Sequence, residues 1–308
     1  MIVTITVNPA VDKSTSTEKL VAEKKMRCAE MVVEAGGGGI NVSKALSRLG
    51  ALNKAIITSG GINGMQLEKC LQEAGIQYSP IPINGDTREN VVLLETSSNS
   101  QYRLVLPGPT LPAKVEDAIL DALAAIPEKP EMIIASGSLP PGFAPGFYAR
   151  VASYAQRNGI RCIIDCSGEP LLLAARAGVY LLKPNLNELS QLAGRDHLET
   201  DQVLSAAKQL LHEGRCEVVV VSMGPQGALM VTPRSHLLVP APTVKKISTV
   251  GAGDSMVAGM AYQLVRNESL ENMIRFGIAC GTAATIQPGT KLFDPADAYR
   301  LYGWLQQQ

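Results

Sequence analysis

The sequence predicts an α/β protein with a doubly wound, mostly parallel sheet flanked by helices, together with a small β-sheet lid. Three observations lead to this prediction. Short apolar runs alternate with stretches of helical apolar spacing along most of the chain, which is typical of parallel strands joined by crossover helices. Residues 217–222 contain four consecutive valines and indicate a buried strand. Two other segments alternate polar and apolar residues, as exposed strands outside a main core do.

The composition is typical of a water-soluble globular protein, since 46% of the 308 residues are hydrophobic and 18% are charged. The formal net charge is zero and no basic run occurs, so we expect no nucleic-acid partner. No apolar stretch reaches the ~18 residues of a membrane-spanning helix, so we expect no membrane partner. The six cysteines form no C-x-x-C pair, and the three histidines show no metal-ligand spacing. These features favour a cytoplasmic protein with free thiols.

The chain begins with a predicted strand at residues 2–7, which lacks the positively charged start of a signal peptide. Asp12 follows just beyond this strand, at the edge where open α/β sheets bind ligands. Residues 13–33 alternate polar and apolar types and form the first part of the predicted lid. A glycine turn then leads into a helix that carries Asn41 and ends near Gly50.

The rest of the chain continues the alternation of strands and helices. Further strands are predicted at residues 54–58, 77–83, 89–96, 101–106, 132–136, 161–166, 180–182, 217–222, 228–231 and 236–239. Helices are predicted at residues 65–74, 115–125, 145–158, 169–177, 188–193, 201–213 (with Thr200 as N-cap), 253–265, 270–285 and 295–306. The polar turn before residue 101 indicates a hairpin that completes the lid. We expect one domain of residues 1–308, with the lid inserted at about 13–33 and 86–107.

The stretch around Asp254 carries the clearest chemical signal. Gly251 and Gly253 flank Ala252, and Asp254 follows in the first turn of an apolar helix. The open N–H groups of a helix start and the positive end of its dipole favour an anion. A carboxylate would repel bound phosphate, so Asp254 makes sense as a base that deprotonates a hydroxyl attacking phosphorus. A simple helix cap is the alternative for Asp254.

The glycine-rich turns do not fit three common phosphate-binding designs. No segment matches the P-loop pattern G-x-x-x-x-G-K-[ST]. Asn41 and Met256 stand where the dinucleotide fingerprint G-x-G-x-x-G needs its third glycine, which disfavours a dinucleotide oxidoreductase. The HRD and DFG sequences of protein kinases are absent. Phosphate handling of another kind is therefore indicated.

Three motifs, in order along the chain, resemble those of the ribokinase-like carbohydrate kinase family, in its phosphofructokinase-B branch. The first is residues 37–43 with Gly50 and Gly60, the second is the N-x-x-E motif at 185–188, and the third is residues 249–254. The resemblance covers essentially the whole chain. It implies a ribokinase-like fold and the transfer of the γ-phosphoryl group of ATP, with Mg²⁺, to a sugar hydroxyl.

The resemblance implies specific roles around the moving phosphoryl group. Asp254 matches the catalytic base, and the N–H groups of Gly251, Ala252 and Gly253 match an anion hole. Glu188 matches a residue that organises Mg²⁺ through water, with a plain surface glutamate as the alternative. The implied nucleotide-side residues are Lys183, Asn185, Ser222, Gly224, Gly227 and Lys246. The residues implied to hold a monovalent cation such as K⁺ are Ser248, Val250, Ala284 and Gly289.

The resemblance also implies a sugar-phosphate site. Its residues are Asp12, Lys25, Gly37, Gly38, Asn41, Arg88, Arg103 and Ser138. Carboxylate and amide groups suit sugar hydroxyls, and arginine can grip a phosphate with two hydrogen bonds. The alternatives are a helix cap for Asn41 and plain surface residues of exposed strands for Arg88 and Arg103.

Within the branch, the sequence resembles 6-phosphofructokinases more than 1-phosphofructokinases or tagatose-6-phosphate kinases. The latter two typically carry lysine before the last glycine of the first motif, where this chain has Gly38. Residues 101–103 and 136–142 point the same way. We therefore expect fructose 6-phosphate to be phosphorylated at its C1 hydroxyl, with the other two activities as alternatives. A homodimer is also implied, in which the lids pair and bury their apolar faces.

Overall fold

The computed structural model describes residues 1–289 and 291–308. Its strands are β1 (Ile2–Thr6), β2 (Ala10–Thr17), β3 (Val32–Gly36), β4 (Asn53–Ser59), β5 (Tyr78–Pro82), β6 (Arg88–Glu95), β7 (Ser100–Val105), β8 (Met132–Ser136), β9 (Arg161–Asp165), β10 (Val179–Leu182), β11 (Cys216–Ser222), β12 (Ala228–Val231) and β13 (His236–Val239). Its helices are α1 (Gly38–Arg48), α2 (Gly61–Glu73), α3 (Lys114–Ala124), α4 (Phe147–Arg157), α5 (Gly168–Ala177), α6 (Leu186–Leu192), α7 (Val203–His212), α8 (Ala252–Val265), α9 (Leu270–Thr285) and α10 (Pro295–Leu305).

A nine-stranded sheet forms the centre of the protein, in the order β13-β12-β11-β10-β9-β8-β1-β4-β5. The strands from β11 to β5 are parallel, and the hairpin of β12 and β13 is antiparallel. The chain runs first from β1 to β4 and β5, and later returns to the other side of β1 at β8. This reversal creates a switch point between β1 and β8, where open α/β sheets bind ligands at the carboxyl ends of their strands.

Helices cover both faces of the large sheet, so the predicted doubly wound α/β fold is confirmed. Helices α3 to α7 pack on one face, and α1 and α8 to α10 pack on the other. The consecutive valines of β11 contribute to the hydrophobic core on each face of the sheet. Val219 and Val221 pack with α3 to α7, and Val218 and Val220 pack with α1 and α8 to α10. No helix in the described part of the chain is long and apolar enough to cross a bilayer.

A separate four-stranded sheet has the order β3-β2-β6-β7, and the small-sheet prediction is confirmed. We call these strands and the residues that connect β2 to β3 and β6 to β7 the lid. Strands β2 and β6 are parallel, and the outer pairs are antiparallel. The sheet extends beyond the predicted segment 13–33 at both ends, since β2 begins at Ala10 and β3 ends at Gly36. Asp12 therefore lies within β2 and not in the loop after β1.

One predicted helix cap is wrong. Thr200 is not an N-cap, because Thr200–Gln202 forms a short 3₁₀ turn and α7 begins only at Val203. The N-cap of α7 is Gln202, and Glu199 precedes the 3₁₀ turn, where its N–H donates to Gln202 Oε1 at 3.3 Å. The turn therefore moves the start of the helix past the predicted cap.

Helix α2 begins at Gly61, earlier than the predicted residue 65. Glycine has a low helix propensity, so Gly61 and Gly64 hide this start in the sequence. The first turn is stabilised from a distance instead, as Asp86 Oδ1 accepts a hydrogen bond from the Ile62 N–H at 2.9 Å.

Candidate active site

Most of the predicted site residues lie near the carboxyl ends of the central strands, beside the switch point. Asn8 follows β1, and its Nδ2 donates to Ser138 Oγ after β8 at 3.2 Å. The Ser222 N–H at the end of β11 donates to the Pro184 carbonyl after β10 at 2.9 Å. Loops that are distant in the sequence thus form one continuous edge.

The turn of Gly251, Ala252 and Gly253 leaves two of its three backbone N–H groups open, while the Ala252 N–H donates to the Thr249 carbonyl at 3.4 Å. Gly251 has a φ of 72°, in the left-handed region that glycine adopts without strain, and α8 begins directly after it. A Cβ at Gly251 would lie 2.6 Å from Leu292 Cδ2. Within the described residues, the N–H groups of Gly251 and Gly253 make no hydrogen bond. An anion at this helix start would therefore meet unpaired donors and the positive end of the dipole.

The carboxylate of Asp254 faces other elements of the fold. Asn41 Nδ2, from α1, donates to Asp254 Oδ2 at 2.9 Å, and Ser136 Oγ, at the end of β8, donates to Oδ1 at 3.5 Å. Neither Asp254 nor Asn41 acts as a helix cap, because the N-caps of their helices are Gly251 and Gly37. The alternative of a simple cap is therefore wrong for both residues.

The surroundings of Asp254 adjust its acidity. Burial raises the pKa of Asp254 to about 6, and the negative charge of Asp165 adds to the rise. The hydrogen bond from Asn41 and the positive charge of Lys183 oppose it. A carboxyl group with this pKa is ionised at neutral pH and still basic enough to accept a proton in a transition state. The group thus has the properties of a general base.

Lys183 places a positive charge beside the glycine turn. It is buried just after β10, with its Nζ 3.3 Å from Asp165 Oδ1 at the end of β9. A Cβ on Gly253 would lie 3.6 Å from the same Nζ. Burial works against this charge, but Asp165, Glu188 and Asp254 raise the pKa of Lys183 above its usual value. Asp165 was not predicted from the sequence, where its only signal is its position at the carboxyl end of a strand.

Asn185 and Glu188 form a capping box at the start of α6. The Glu188 N–H donates to Asn185 Oδ1 and the Asn185 N–H donates to Glu188 Oε2, both at 2.9 Å. Glu188 is half-buried, and burial raises its pKa, so it is not a plain surface glutamate. Within the described residues, no three His, Cys, Asp or Glu side chains cluster to hold a metal. This sparse donor set fits Mg²⁺ bound largely through water and phosphate.

Gly224 and Gly227 shape the turn between β11 and β12. Their φ angles are 58° and 98°, and a Cβ at Gly227 would lie 2.0 Å from the Val239 carbonyl oxygen. A glycine is therefore required at position 227 for the hairpin of β12 and β13 to close. Gly224 is exposed, so its backbone is accessible to a ligand. Lys246 is exposed after β13, and its side chain forms no hydrogen bond or ion pair with the rest of the described chain.

The loop after α9 lies beside the segment that leads to the glycine turn. Ser248 Oγ donates to the Gly289 carbonyl at 3.0 Å and accepts from the Val250 N–H at 3.2 Å. The Ala284 carbonyl, near the end of α9, accepts from the Gln287 N–H at 3.2 Å. Ser248, Val250 and Gly289 thus lie together, and backbone carbonyls are oxygen donors of the type that coordinate K⁺.

In the lid, Asp12 leans across the bare backbone of Gly36 on the neighbouring strand. A Cβ at Gly36 would lie 2.0 Å from Asp12 Oδ2. Asn90 Nδ2, on β6, donates to Asp12 Oδ1 at 2.8 Å. Burial raises the pKa of Asp12, and the hydrogen bond from Asn90 opposes the rise. Asn90 was not among the residues predicted from the sequence.

The glycine turn before α1 passes close to the ends of β1 and β8. Gly37 has a φ of 117°, and a Cβ there would lie 2.7 Å from Thr6 Cγ2. A Cβ at Gly38 would lie 2.2 Å from Ser136 Oγ, the hydroxyl that also faces Asp254. The turn and the carboxylate therefore share one small region of the site.

The two lid arginines lie in different environments. Arg88 is half-buried, and its guanidinium donates to the carbonyls of Asn8 and Leu106, both at 3.2 Å. Burial lowers the pKa of Arg88. Arg103 is exposed, and its Nη2 donates to Thr249 Oγ1 at 3.5 Å, just before the glycine turn. A lid side chain thus reaches the anion-binding side of the site.

Two further predicted sugar-site residues, besides Arg103, are exposed. Ser138 lies beside Asn8 at the end of β8. Lys25 is in the irregular, exposed stretch between β2 and β3, and its side chain makes no hydrogen bond or ion pair to any described residue.

Known proteins resemble this chain over nearly its whole length. The model of the pfkB family of carbohydrate kinases matches residues 2–297. The ATP-dependent 6-phosphofructokinase isozyme 2 of Escherichia coli is 41% identical over 99% of this chain and 98% of its own length. The enzyme of the same name from Mycobacterium tuberculosis is 39% identical over 98% of this chain and 88% of its own length.

Solved structures of the Escherichia coli protein superpose closely. Phosphofructokinase-2 in complex with potassium has a TM-score of 0.95 at 40% identity, and its complex with fructose-6-phosphate has 0.93 at 39%, each covering 99% of both chains. A tetrameric inhibited form has 0.92 at 40% identity with the same coverage. The chain described here belongs to the pfkB family of carbohydrate kinases.

Proposed function

We propose that this kinase transfers a phosphoryl group from ATP to the C1 hydroxyl of fructose 6-phosphate and so forms fructose 1,6-bisphosphate. The observation that carries the proposal is the position of Asp254, a carboxylate with a raised pKa beside the open N–H groups of the glycine turn. The names of the relatives support the choice of sugar phosphate. Phosphorylation of fructose 1-phosphate or tagatose 6-phosphate is the alternative within the family.

In the proposed reaction, Asp254 takes the proton of the C1 hydroxyl as the oxygen attacks the γ-phosphorus of ATP. A new P–O bond forms to the sugar, and the bond between the γ-phosphorus and the bridging oxygen breaks, so that ADP leaves with its electron pair. The N–H groups of Gly251, Ala252 and Gly253 stabilise the charge on the moving group. Lys183 adds a positive charge beside them, and Asn41 keeps Asp254 oriented.

On the nucleotide side, Glu188 and Asn185 would hold Mg²⁺ through water. The bound ion supplies positive charge that neutralises the phosphates of ATP. Ser222, Gly224 and Gly227 would line the phosphates or the nucleotide with backbone groups, and Lys246 would lie near the base. The residues proposed for a K⁺ ion beside the glycine turn are Ser248, Val250, Ala284 and Gly289.

On the sugar side, Asp12 and Asn41 would hold hydroxyls, and Ser138 would add a further polar contact. Gly37 and Gly38 leave room for the sugar to lie close to the backbone. The residues proposed to bind the 6-phosphate are Lys25, Arg88 and Arg103. Lys25 reaches the phosphate only if its exposed segment closes or if it comes from a second subunit.

The proposal includes a cytoplasmic location and a homodimer formed through the lid. Many of the large exposed apolar side chains belong to the lid: Val21, Met26, Met31, Val32, Tyr102, Leu104 and Val105. Pairing of two lids through the face that carries Tyr102 and Leu104 would remove these two side chains from water. The lid is taken as an insertion in a single domain that spans residues 1–308.

A substrate panel tests the proposed function. Purified protein is assayed with ATP and Mg²⁺ against fructose 6-phosphate, fructose 1-phosphate, tagatose 6-phosphate and fructose. We expect the highest kcat/KM with fructose 6-phosphate, because two lid arginines can bind the 6-phosphate. A higher kcat/KM with either of the other phosphates would assign the chain to that alternative, and a kcat/KM for fructose as high as that for fructose 6-phosphate would contradict a phosphate-binding lid.

Arg103→Ala tests the phosphate contact. We expect the KM for fructose 6-phosphate to rise by about 10- to 100-fold, since a hydrogen bond to a charged group is lost, while the KM for ATP changes little. Arg157→Ala is a matched control, because Arg157 is an exposed arginine on α4, outside the lid. An equal loss of activity with unphosphorylated fructose would count against a phosphate contact at Arg103.

A further inference from the structure

Asn90 lies beside Asp12 in the sugar half of the site. Strands β2 and β6 run parallel with these two residues in register, so both side chains point to the same face of the sheet. Asn90 Nδ2 donates to Asp12 Oδ1 at 2.8 Å. One oxygen of the carboxylate is therefore held by the neighbouring strand.

The other oxygen of Asp12 is directed by Gly36. Asp12 Oδ2 occupies the space over Gly36, 2.0 Å from where a Cβ would lie. Gly36 directly precedes the turn at Gly37 that starts α1. Asn90 on one side and Gly36 on the other thus turn the carboxylate towards the place proposed for the sugar hydroxyls.

The side-chain amide of Asn90 donates to Asp12, but its oxygen lacks a donor among the described residues. Asn90 Oδ1 is buried and has no hydrogen-bond partner within the described residues. A buried amide oxygen without a partner destabilises a fold, so an apolar residue would serve packing better at this position. The arrangement is explained if the Nδ2 donor serves Asp12.

We infer that Asn90 is a positioning residue for sugar-phosphate binding, which acts by fixing the orientation of Asp12. The inference rests on the proposed function, because it uses the role given there to Asp12. Asn90 does not touch the reacting atoms. Its removal should therefore weaken sugar binding more than it slows phosphoryl transfer.

Asn90→Ala removes the donor and lets the carboxylate of Asp12 turn. We expect the KM for fructose 6-phosphate to rise about 10-fold, with the KM for ATP and the kcat at saturating sugar within about 2-fold of wild type. Unchanged KM values for both substrates would overturn the inference, and so would equal increases in both.

Asn90→Asp keeps the shape of the side chain and exchanges the donor for a second carboxylate. Two carboxylates at hydrogen-bond distance share one proton, so one pKa of the pair is strongly raised. The protonated variant side chain donates to Asp12 as the amide does, whereas the ionised one repels it. Lys44 on α1, Arg88 on β6 and Glu34 on β3 also act on Asp12 and are the same in all variants.

The expected signature is a pH dependence confined to this variant. The kcat/KM of Asn90→Asp relative to wild type should recover from a defect of about 10-fold near pH 8.5 to about 2-fold near pH 6. The relative value for Asn90→Ala should stay flat. Division by wild type cancels the titration of Asp254 and of the substrate phosphate. If the kcat/KM relative to wild type is independent of pH for both variants, Asn90 is a structural residue and the inference is overturned.

Asn272→Ala is the matched control. Asn272 lies on α9, outside the lid, and its Nδ2 also donates to a carboxylate, Glu268 Oε2, at 3.1 Å. Wild-type kinetics are expected for it, and a sugar KM raised as much as in Asn90→Ala would contradict a specific role for Asn90. If wild type turns over fructose 6-phosphate and the Asn90 variants match it, only the inference fails. If wild type uses another sugar phosphate, the proposed function fails and the same variants are compared on that substrate.

Discussion

At the scale of single residues, Asp254 links burial to catalysis. Burial raises its pKa to about 6, and only the ionised form can accept the hydroxyl proton. We therefore expect kcat/KM for the sugar to fall as the pH drops through about 6. Asp254→Asn should lower kcat by about 10²- to 10⁴-fold and leave only the part of this acid limb that comes from titration of the substrate phosphate. Steady-state kinetics as a function of pH, with circular dichroism to check the fold, measure both effects.

A control separates the base from other carboxylates. Asp297→Asn changes a carboxylate on α10 that pairs with Arg300 at the surface, so its kinetics should match wild type. Near-normal turnover by a folded Asp254→Asn protein would show that another group accepts the proton.

The same substitution should stabilise the fold. The folded-state pKa of Asp254 is raised from an ordinary value of 3.8, so the native protein loses stability as the pH rises through about 6 and this carboxyl ionises. An asparagine stays neutral and can still accept the bond from Asn41. We expect Asp254→Asn to unfold at a higher temperature than wild type above about pH 7, by the equivalent of about 1–2 kcal/mol, and the gain to vanish near pH 4. A lower melting temperature of Asp254→Asn than of wild type at neutral pH would show that the buried, ionised carboxylate does not destabilise the fold.

Local motifs determined which site residues the sequence revealed. Asp254 was predicted because glycines immediately before it imply a helix start. Asp165 and Asn90 have no such neighbours, and each meets its partner only across adjacent strands of a sheet, at Lys183 and Asp12. A contact of that kind depends on strand order and register, which short spacing in the sequence does not encode.

At the scale of elements, the bounds of a strand or helix were predicted correctly where its apolar periodicity ends at turn-forming residues. Residues 132–136, 228–231, 236–239 and 270–285 have the predicted bounds. The start of α2 was misplaced because Asp86 stabilises its first turn from a remote loop. A local pattern cannot report such long-range partners.

The packing of α1 on β1 predicts opposite outcomes for the same substitution at two glycines. A Cβ at Gly39 would lie 2.6 Å from the carbonyl oxygen of Ile5, whereas nothing lies within 4 Å of one at Gly303 in α10. Gly39→Ala should destabilise the protein by about 1–3 kcal/mol, because backbone atoms of β1 must move. Gly303→Ala should stabilise it by up to about 1 kcal/mol, because alanine favours the helix. Chemical denaturation measures both values. A Gly39→Ala protein as stable as wild type would show that α1 can move away from β1 without loss, and a destabilised Gly303→Ala protein would contradict the helix-propensity argument.

At the scale of the whole molecule, the sequence predicted the layers but not the order of the strands. Alternating strands and helices imply a parallel sheet, yet the reversal that places β8 beside β1 is set by packing across distant parts of the chain. That reversal creates the crevice in which the glycine turns of α1 and α8 meet. The clustering of the site therefore follows from topology, even though its main motifs are local.

The lid links this topology to assembly. The face of its sheet that carries Val11 and Ala35 packs on α2 at one end. Further along the same face, Leu104 and Tyr102 of β7 remain exposed in the single chain. The opposite face carries Asp12 and the other polar residues of the site. Two lids that pair through the apolar face would bury it and leave the polar faces to the substrates.

Leu104→Glu tests this pairing. We expect wild type to have twice the 32.7 kDa mass of one chain by light scattering at micromolar concentration, and Leu104→Glu to be a monomer, since a buried unpaired charge opposes association. Ile62→Glu is the control, because Ile62 is also exposed but lies on α2 outside the lid, and this variant should remain a dimer. A tetramer agrees with lid pairing only if Leu104→Glu divides it while Ile62→Glu does not. A wild-type monomer would contradict the pairing, and the segment that carries Lys25 would then have to close over the sugar phosphate within one chain.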